Sequence, residues 1–204
     1  MLEFRWSSLV VGLSLGVSGF ALLAATSWWS PRARKLGGRT HWKLGWVVNG
    51  LGMTAIGASW LVLTLLKPHW RSLALAAIGV PLGLAGGILF FASARKVGRL
   101  KALARYSMQL DTTGPYALVR HPQALALSLL AGFLGLTTGS IPLLLSLPLW
   151  VLCWFAYTWF EEELELVPVF GERYRNYRET TPRLWPRVPG WRYAHRRSGA
   201  GDTL

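Results

Sequence analysis

Apolar residues in this chain run in long uncharged blocks instead of alternating with polar ones. Residues 7–28, 46–66, 72–94, 122–138 and 141–160 contain no Asp, Glu, Lys or Arg. A helix rises 1.5 Å per residue, so about 20 apolar residues cross the ~30 Å hydrocarbon core of a bilayer. The pattern predicts an all-α fold: an integral membrane bundle of about five transmembrane helices, one membrane domain over 1–204, with a cytoplasmic C-terminal helical segment. The fourth block is the shortest, but Leu125, Leu127, Leu129, Leu130, Phe133, Leu134 and Leu136 make it apolar enough to count as a span. A cleaved leader is not expected of the first block, because Arg5 is balanced by Glu3 and no small-residue cleavage pattern follows.

Composition and charge placement sharpen this picture. The 204 residues are 52% hydrophobic and 15% charged, against about 25% charged in a soluble domain. That balance excludes disorder as well as an ordinary soluble globule. The formal net charge is +13, and the cations cluster between blocks. Arg32, Arg34, Lys35, Arg39 and Lys43 separate the first two; Arg95, Lys96, Arg99, Lys101, Arg105 and Arg120 accompany a single Asp111 between the third and fourth; an Arg-rich tail follows Phe160. The second connection offers only Lys67 and Arg71, and the fourth is uncharged. The positive-inside rule then predicts an outside N-terminus and a cytoplasmic C-terminus, which an odd span count satisfies.

The basic charge thus serves topology and anionic headgroups, each cation near the surface being worth about 1 kcal/mol, and nucleic-acid binding is not expected. Trp28, Trp29, Trp42, Trp70 and Trp159 stand at block ends, where an indole keeps its N–H hydrated. Gly12 with Gly16, and Gly83 with Gly87, have the spacing of close helix packing. Cys153 is the single cysteine, and His41, His69, His121 and His195 lack any metal-binding spacing, so no metal site is expected. No dinucleotide-binding glycine fingerprint follows a strand-like run. Residues 198–204 have the composition of a disordered end.

Chemistry-bearing residues concentrate late in the chain, over about 111–186. The first group is Asp111, Thr112, Thr113, Gly114, Pro115 and Tyr116, followed by Arg120, His121 and Pro122 at the entrance to the fourth block. Gly-Pro marks a turn, and Pro122 suits a first helical turn, where its missing N–H would lack a partner anyway. Neither reason accounts for Arg120 beside His121 at a membrane boundary. The second group is Glu161, Glu162 and Glu163, with Glu165, directly after the fifth block. Acids there oppose the helix dipole and face an anionic leaflet, so a cationic partner is expected nearby. Only residues 137–140 join the last two blocks, so these form an antiparallel hairpin that brings both groups to one membrane face. Gly171 then breaks or caps the helix, and Tyr174 and Tyr177, three apart, share one face of the next, able to fold back over the mouth of the hairpin.

These residues carry a resemblance. GPYALVRHPQALA over 114–126 and EELELVPVFGERYRNYRETTP over 162–182 resemble the isoprenylcysteine carboxyl methyltransferase and phospholipid methyltransferase family of integral membrane enzymes. Gly114, Pro115, Tyr116, Arg120, His121, Pro122, Glu162, Glu163, Leu166, Phe170, Gly171, Tyr174, Tyr177 and Pro182 match its motifs. Ala124 and Ala126 depart from them, standing where the family has Tyr and Gly. The resemblance implies S-adenosylmethionine as methyl donor and a lipophilic or small acceptor: an isoprenylcysteine carboxylate, a phospholipid amine or a thiol. It implies donor binding by Gly114, Tyr116, Arg120, His121, Pro122, Glu162, Glu163, Tyr174 and Tyr177, with Arg120 and His121 closest to the chemistry. Methyl transfer from a sulfonium is an in-line displacement to which orientation and water exclusion contribute most. Two other readings stand beside it: a non-catalytic membrane scaffold retaining the motif, and a sterol-reductase-like enzyme using NADPH, for which the chain is short.

Overall fold

The computed structural model describes residues 6–35, 39–66, 69–102 and 110–186, and the side chains of 6–28, 47–66, 69–96 and 110–186. The cations of the first connection, Arg99, Lys101, Arg105, the indoles of Trp29 and Trp42, and residues 198–204 lie outside that set. Every named element is helical: α1 (Trp6–Lys35), α2 (Arg39–Leu65), α3 (Leu73–Ala102), α4 (Pro115–Leu118), α5 (Pro122–Thr138), α6 (Ile141–Glu161), a π-helical turn at Glu162–Leu166, α7 (Val167–Phe170) and α8 (Glu172–Thr180). Among the described residues, four helical stretches are long and apolar enough to cross a membrane: Trp6–Trp28, Val47–Leu65, Leu73–Lys96 and Ile141–Phe170. The fourth predicted block forms its helix at the expected bounds, but α5 has 17 residues and falls below spanning length. The chain is an all-α integral membrane protein.

Packing follows small residues and aromatic anchors. Helix α1 lies against α2, α3 against α5, and α6 touches α1, α2 and α5. Where α1 crosses α2, a Cβ added at Gly19 would stand 2.6 Å from the Gly52 carbonyl oxygen, and one at Gly52 would stand 2.8 Å from that of Gly19. Only glycine permits this approach, which lets the two backbones gain dispersion contacts that lipid does not provide. Of the sequence-marked pairs, Gly12, Gly16 and Gly83 meet neighbouring helices, whereas Gly87 faces open space. The core gathers Phe20 and Leu23 of α1, Ile56, Trp60 and Leu63 of α2, and Leu143, Trp150 and Trp154 of α6. Phe20 meets Trp154 edge to face at 4.7 Å between centroids. Leu, Val, Ile and Phe side chains around the outside are exposed, as a bilayer solvent requires.

The α5–α6 hairpin is pinned at its turn. Gly139 caps α5 at φ +67°, and Ser140 starts α6. Trp70 N–H donates to Gly139 O at 2.7 Å, and Ser140 Oγ donates to Leu63 O at 2.8 Å. His69 Nε2 donates to Thr64 O at 2.7 Å in the same corner. Backbone polar groups near the membrane must find internal partners, and these bonds supply them while tying the hairpin to the connection between α2 and α3.

Candidate functional site

The other end of the hairpin collects the charged residues. Pro122 occupies the first turn of α5, and the N–H groups of Arg120 and His121, which precede the helix, have no helical partners. They donate instead to Pro182 O at 2.8 Å and Arg183 O at 3.1 Å. A strap formed by residues 181–186 therefore returns from α8 into the bundle, where Leu184 joins the hydrophobic core.

The matching wall comes from the end of α6. Pro168 has no N–H, and in a regular α-helix its ring would collide with the carbonyl of Leu164. The helix widens just ahead of it, so that Val167 N–H donates to Glu162 O five residues back. Single π turns of this kind recur at functional sites because they re-aim side chains. Here Glu162 turns inward and is fully buried, while Glu163 turns outward and pairs with Arg178 at 2.5 Å.

Three cationic groups surround the Glu162 carboxylate. His121 Nε2 donates to its Oε1 at 2.8 Å, and Arg120 Nε stands 3.4 Å from the same oxygen. Arg183 Nη2 donates to Oε2 at 2.9 Å. The second ring nitrogen of His121, Nδ1, lies 3.2 Å from Glu161 Oε2. A buried charge is tolerated only when paired and hydrogen-bonded, and Glu162 meets both conditions. Burial alone would pull the His121 imidazole down, but its bonds to Glu161 and Glu162 and their charges prevail and hold it above its usual value. With a carboxylate beside each nitrogen, the imidazolium form of His121 is favoured, since it can donate in both directions.

The α8 tyrosines close the arrangement. Tyr174 and Tyr177 are buried, their rings edge to face with centroids 5.9 Å apart. The Tyr177 hydroxyl donates to Tyr116 O at 2.5 Å, tying α8 to α4. Burial and then the Glu162 charge push the Tyr174 phenol upward, so it remains a neutral O–H donor. On the far side of α4, Lys96 Nζ donates to Thr113 O at 2.7 Å and to Asp111 Oδ1 at 3.1 Å. This clasp holds Gly114, at φ +61°, against the end of α3.

Of the residues marked in the sequence, the fold thus brings Arg120, His121, Pro122, Glu162 and Tyr174 together, with Tyr177 and Tyr116 in the adjoining layer. Gly114 sits at the rim beside Lys96, and Glu163 lies on the surface with Arg178. Arg183 belongs to the cluster without having been marked, and Glu161, noted as part of the acidic run but not as a donor-binding residue, belongs to it as well. The only trace of Glu161 in the sequence is the acidic run itself, and Arg183 lies in a segment with no periodicity to place it.

Several strong donors in the cluster remain unused. Arg120 Nε and Nη1, Arg183 Nε and Tyr174 Oη are buried without a hydrogen-bond partner among the described residues. Buried polar groups almost always have partners, so this surplus beside Glu162 suits an anionic or multiply accepting ligand group. Among the described residues no His, Cys, Asp and Glu group has metal-holding geometry.

Fold and site together define a multi-helix membrane protein whose charged, buried centre sits at one end of a short hairpin. Residues 74–173, just under half of the chain, match the family model of phospholipid methyltransferase, a family of membrane methyltransferases. No curated protein and no solved structure matches the chain significantly.

Proposed function

We propose that the protein transfers a methyl group from S-adenosylmethionine to a lipophilic or small acceptor at the cytoplasmic boundary of the membrane, in the manner of the isoprenylcysteine carboxyl methyltransferases. The observation that carries this reading is the pair of buried donors, Arg120 Nη1 and Arg183 Nε, that have no hydrogen-bond partner among the described residues and stand beside the Glu162 carboxylate. The donor has both a carboxylate and cationic groups, and the cluster offers both complements. The unpartnered Arg120 Nη1 suits its carboxylate as a charge-assisted donor. Glu161 and Glu162 suit its amino group or ribose hydroxyls. When bound, S-adenosylmethionine supplies an activated methyl on sulfur, and the acceptor's lone pair forms the new bond as the carbon–sulfur pair leaves with sulfur.

His121 in this reading orients and does not abstract protons, since both its nitrogens are engaged by carboxylates. A carboxylate or thiolate acceptor needs no base. Support for an apolar acceptor comes from an open groove of about 410 Å³ lined by Ala21, Ala24, Ala25, Trp28, Phe160 and Leu164. Phe160 and Leu164 stand two positions either side of Glu162 in the chain, so the groove and the cluster lie at the same level of the bundle. The cytoplasmic placement follows from the basic connections.

Thermal melting of the detergent-purified protein tests the reading. S-adenosylhomocysteine binding to the folded state alone must raise the midpoint, and labelled methyl must pass to an extracted membrane lipid or thiol. A shift with reduced nicotinamide dinucleotide instead would replace it with a reductase, and a response to neither ligand would favour a scaffold.

A further inference from the structure

The segment after α8 does more than end the fold. Its backbone carbonyls at Pro182 and Arg183 accept from the N–H groups of Arg120 and His121, and the Arg183 side chain reaches across to Glu162 Oε2 at 2.9 Å. The loop of contacts is closed. Arg120 and His121 touch one oxygen of Glu162, Arg183 touches the other, and the two segments carrying these cations are bonded to each other through their backbones. The guanidinium is further fixed in angle, because its Cζ lies 4.8 Å over the ring of Phe155, seven residues before Glu162 on α6. A planar cation held between a ring and a carboxylate has little rotational freedom, which an ammonium on a flexible stem would not reproduce.

We propose that Arg183 is a positioning residue for the methyltransferase site. It holds the Glu162 carboxylate in one orientation, with Oε1 toward His121 and Arg120, and neutralises part of its charge so that Arg120 remains available to a ligand. The effect on donor binding rests on the proposed use of S-adenosylmethionine; the effect on His121 does not.

Electrostatics supplies a readout that packing alone would not move. His121 faces Glu161 and Glu162, with Arg120, Arg183 and the neutral Tyr174 phenol around the same carboxylate. Removing the Arg183 charge leaves Glu162 less neutralised, which favours the imidazolium and moves its titration upward. The test is the full-length protein in detergent as R183Q and R183K, read by NMR titration of the His121 ring and by calorimetry with S-adenosylhomocysteine. In R183Q the His121 midpoint rises by half a unit or more and ligand affinity falls about tenfold. In R183K the retained charge keeps the midpoint near wild type and restores part of the affinity. An unmoved His121 midpoint in R183Q overturns the proposal. So does R183K matching R183Q in both readouts, since that would assign Arg183 to packing on Phe155; should R183Q not fold, R183K alone must still titrate as wild type. A wild-type protein that binds no S-adenosylhomocysteine would fail the donor reading instead, with the His121 titration still deciding the role of Arg183.

Discussion

His121 Nε2 and Glu162 Oε1 stand 2.8 Å apart although 41 positions separate the residues in the chain. One lies just ahead of α5 and the other just past the end of α6, so the contact exists only because the hairpin returns to its starting level. It joins the imidazole to a carboxylate that also answers Arg120 and Arg183, and makes Glu162 the centre on which both halves of the site depend.

Adjacent glutamates should therefore behave very differently. Glu162→Gln leaves three buried cationic groups without their shared anion, and breaking a buried pair from one side costs about 3–5 kcal/mol. Glu163→Gln removes only a partly exposed pair with Arg178, of a kind worth about 0–1 kcal/mol. Denaturation in detergent should show a large loss for the first and little for the second, with S-adenosylhomocysteine affinity following the same order. Equal losses would contradict the inward turn of Glu162.

Stability should also depend on the proton held by His121. Its folded value is raised above about 6.5, the value expected in the unfolded chain. A raised value means that the folded state binds the proton more tightly. The stabilisation is then fully present below the unfolded value and is lost as pH rises through the folded one. Melting midpoints measured from slightly acidic to alkaline pH should fall on the alkaline side in the wild type. His121→Gln should remove that part of the decline, and an unchanged slope in the variant would assign it to other groups.

Two glycines with positive φ separate strain from collision. Gly139 has φ +67°, and an added Cβ would lie 2.3 Å from Trp70 O, a backbone atom that cannot move aside. Gly171 has φ +56° with nothing within 4 Å of such a Cβ. Gly171→Ala should cost about 1–3 kcal/mol, because its φ and ψ of +56° and −131° fall where essentially only glycine is at ease. Gly139→Ala should cost several times more and lower the folded yield, because the hairpin turn must separate from the α2–α3 connection. Comparable melting temperatures for the two variants would argue against the Gly139–Trp70 contact.

Much of this was readable from the chain. Uncharged blocks set the helices, since a bilayer accepts few charges and demands satisfied backbone. The bounds of α5 followed from Pro122 at its start and the uncharged four-residue link at its end. That short link was also enough to bring Arg120, His121 and the acidic run to one level. The division of labour within that run was not readable. An ordinary helix fans three consecutive glutamates about 100° apart, and which of them faces inward is set by the packing of α6, whose buried stripe of Trp150, Trp154 and Thr158 continues at four-residue steps to Glu162. Arg183 was out of reach for another reason: the strap has no period, and its place comes from two N–H groups that precede α5 and have no helical partners.

By itself the sequence determined an all-helical membrane protein, the hairpin, and which residue types meet at its open end, because solvent polarity and helix geometry act on local patterns. Tertiary structure alone decided which carboxylate is buried, that His121 lies between two of them, and that a distant arginine completes the charge balance. Those outcomes depend on where unpaired polar groups find partners, and the partners come from segments that no local pattern connects.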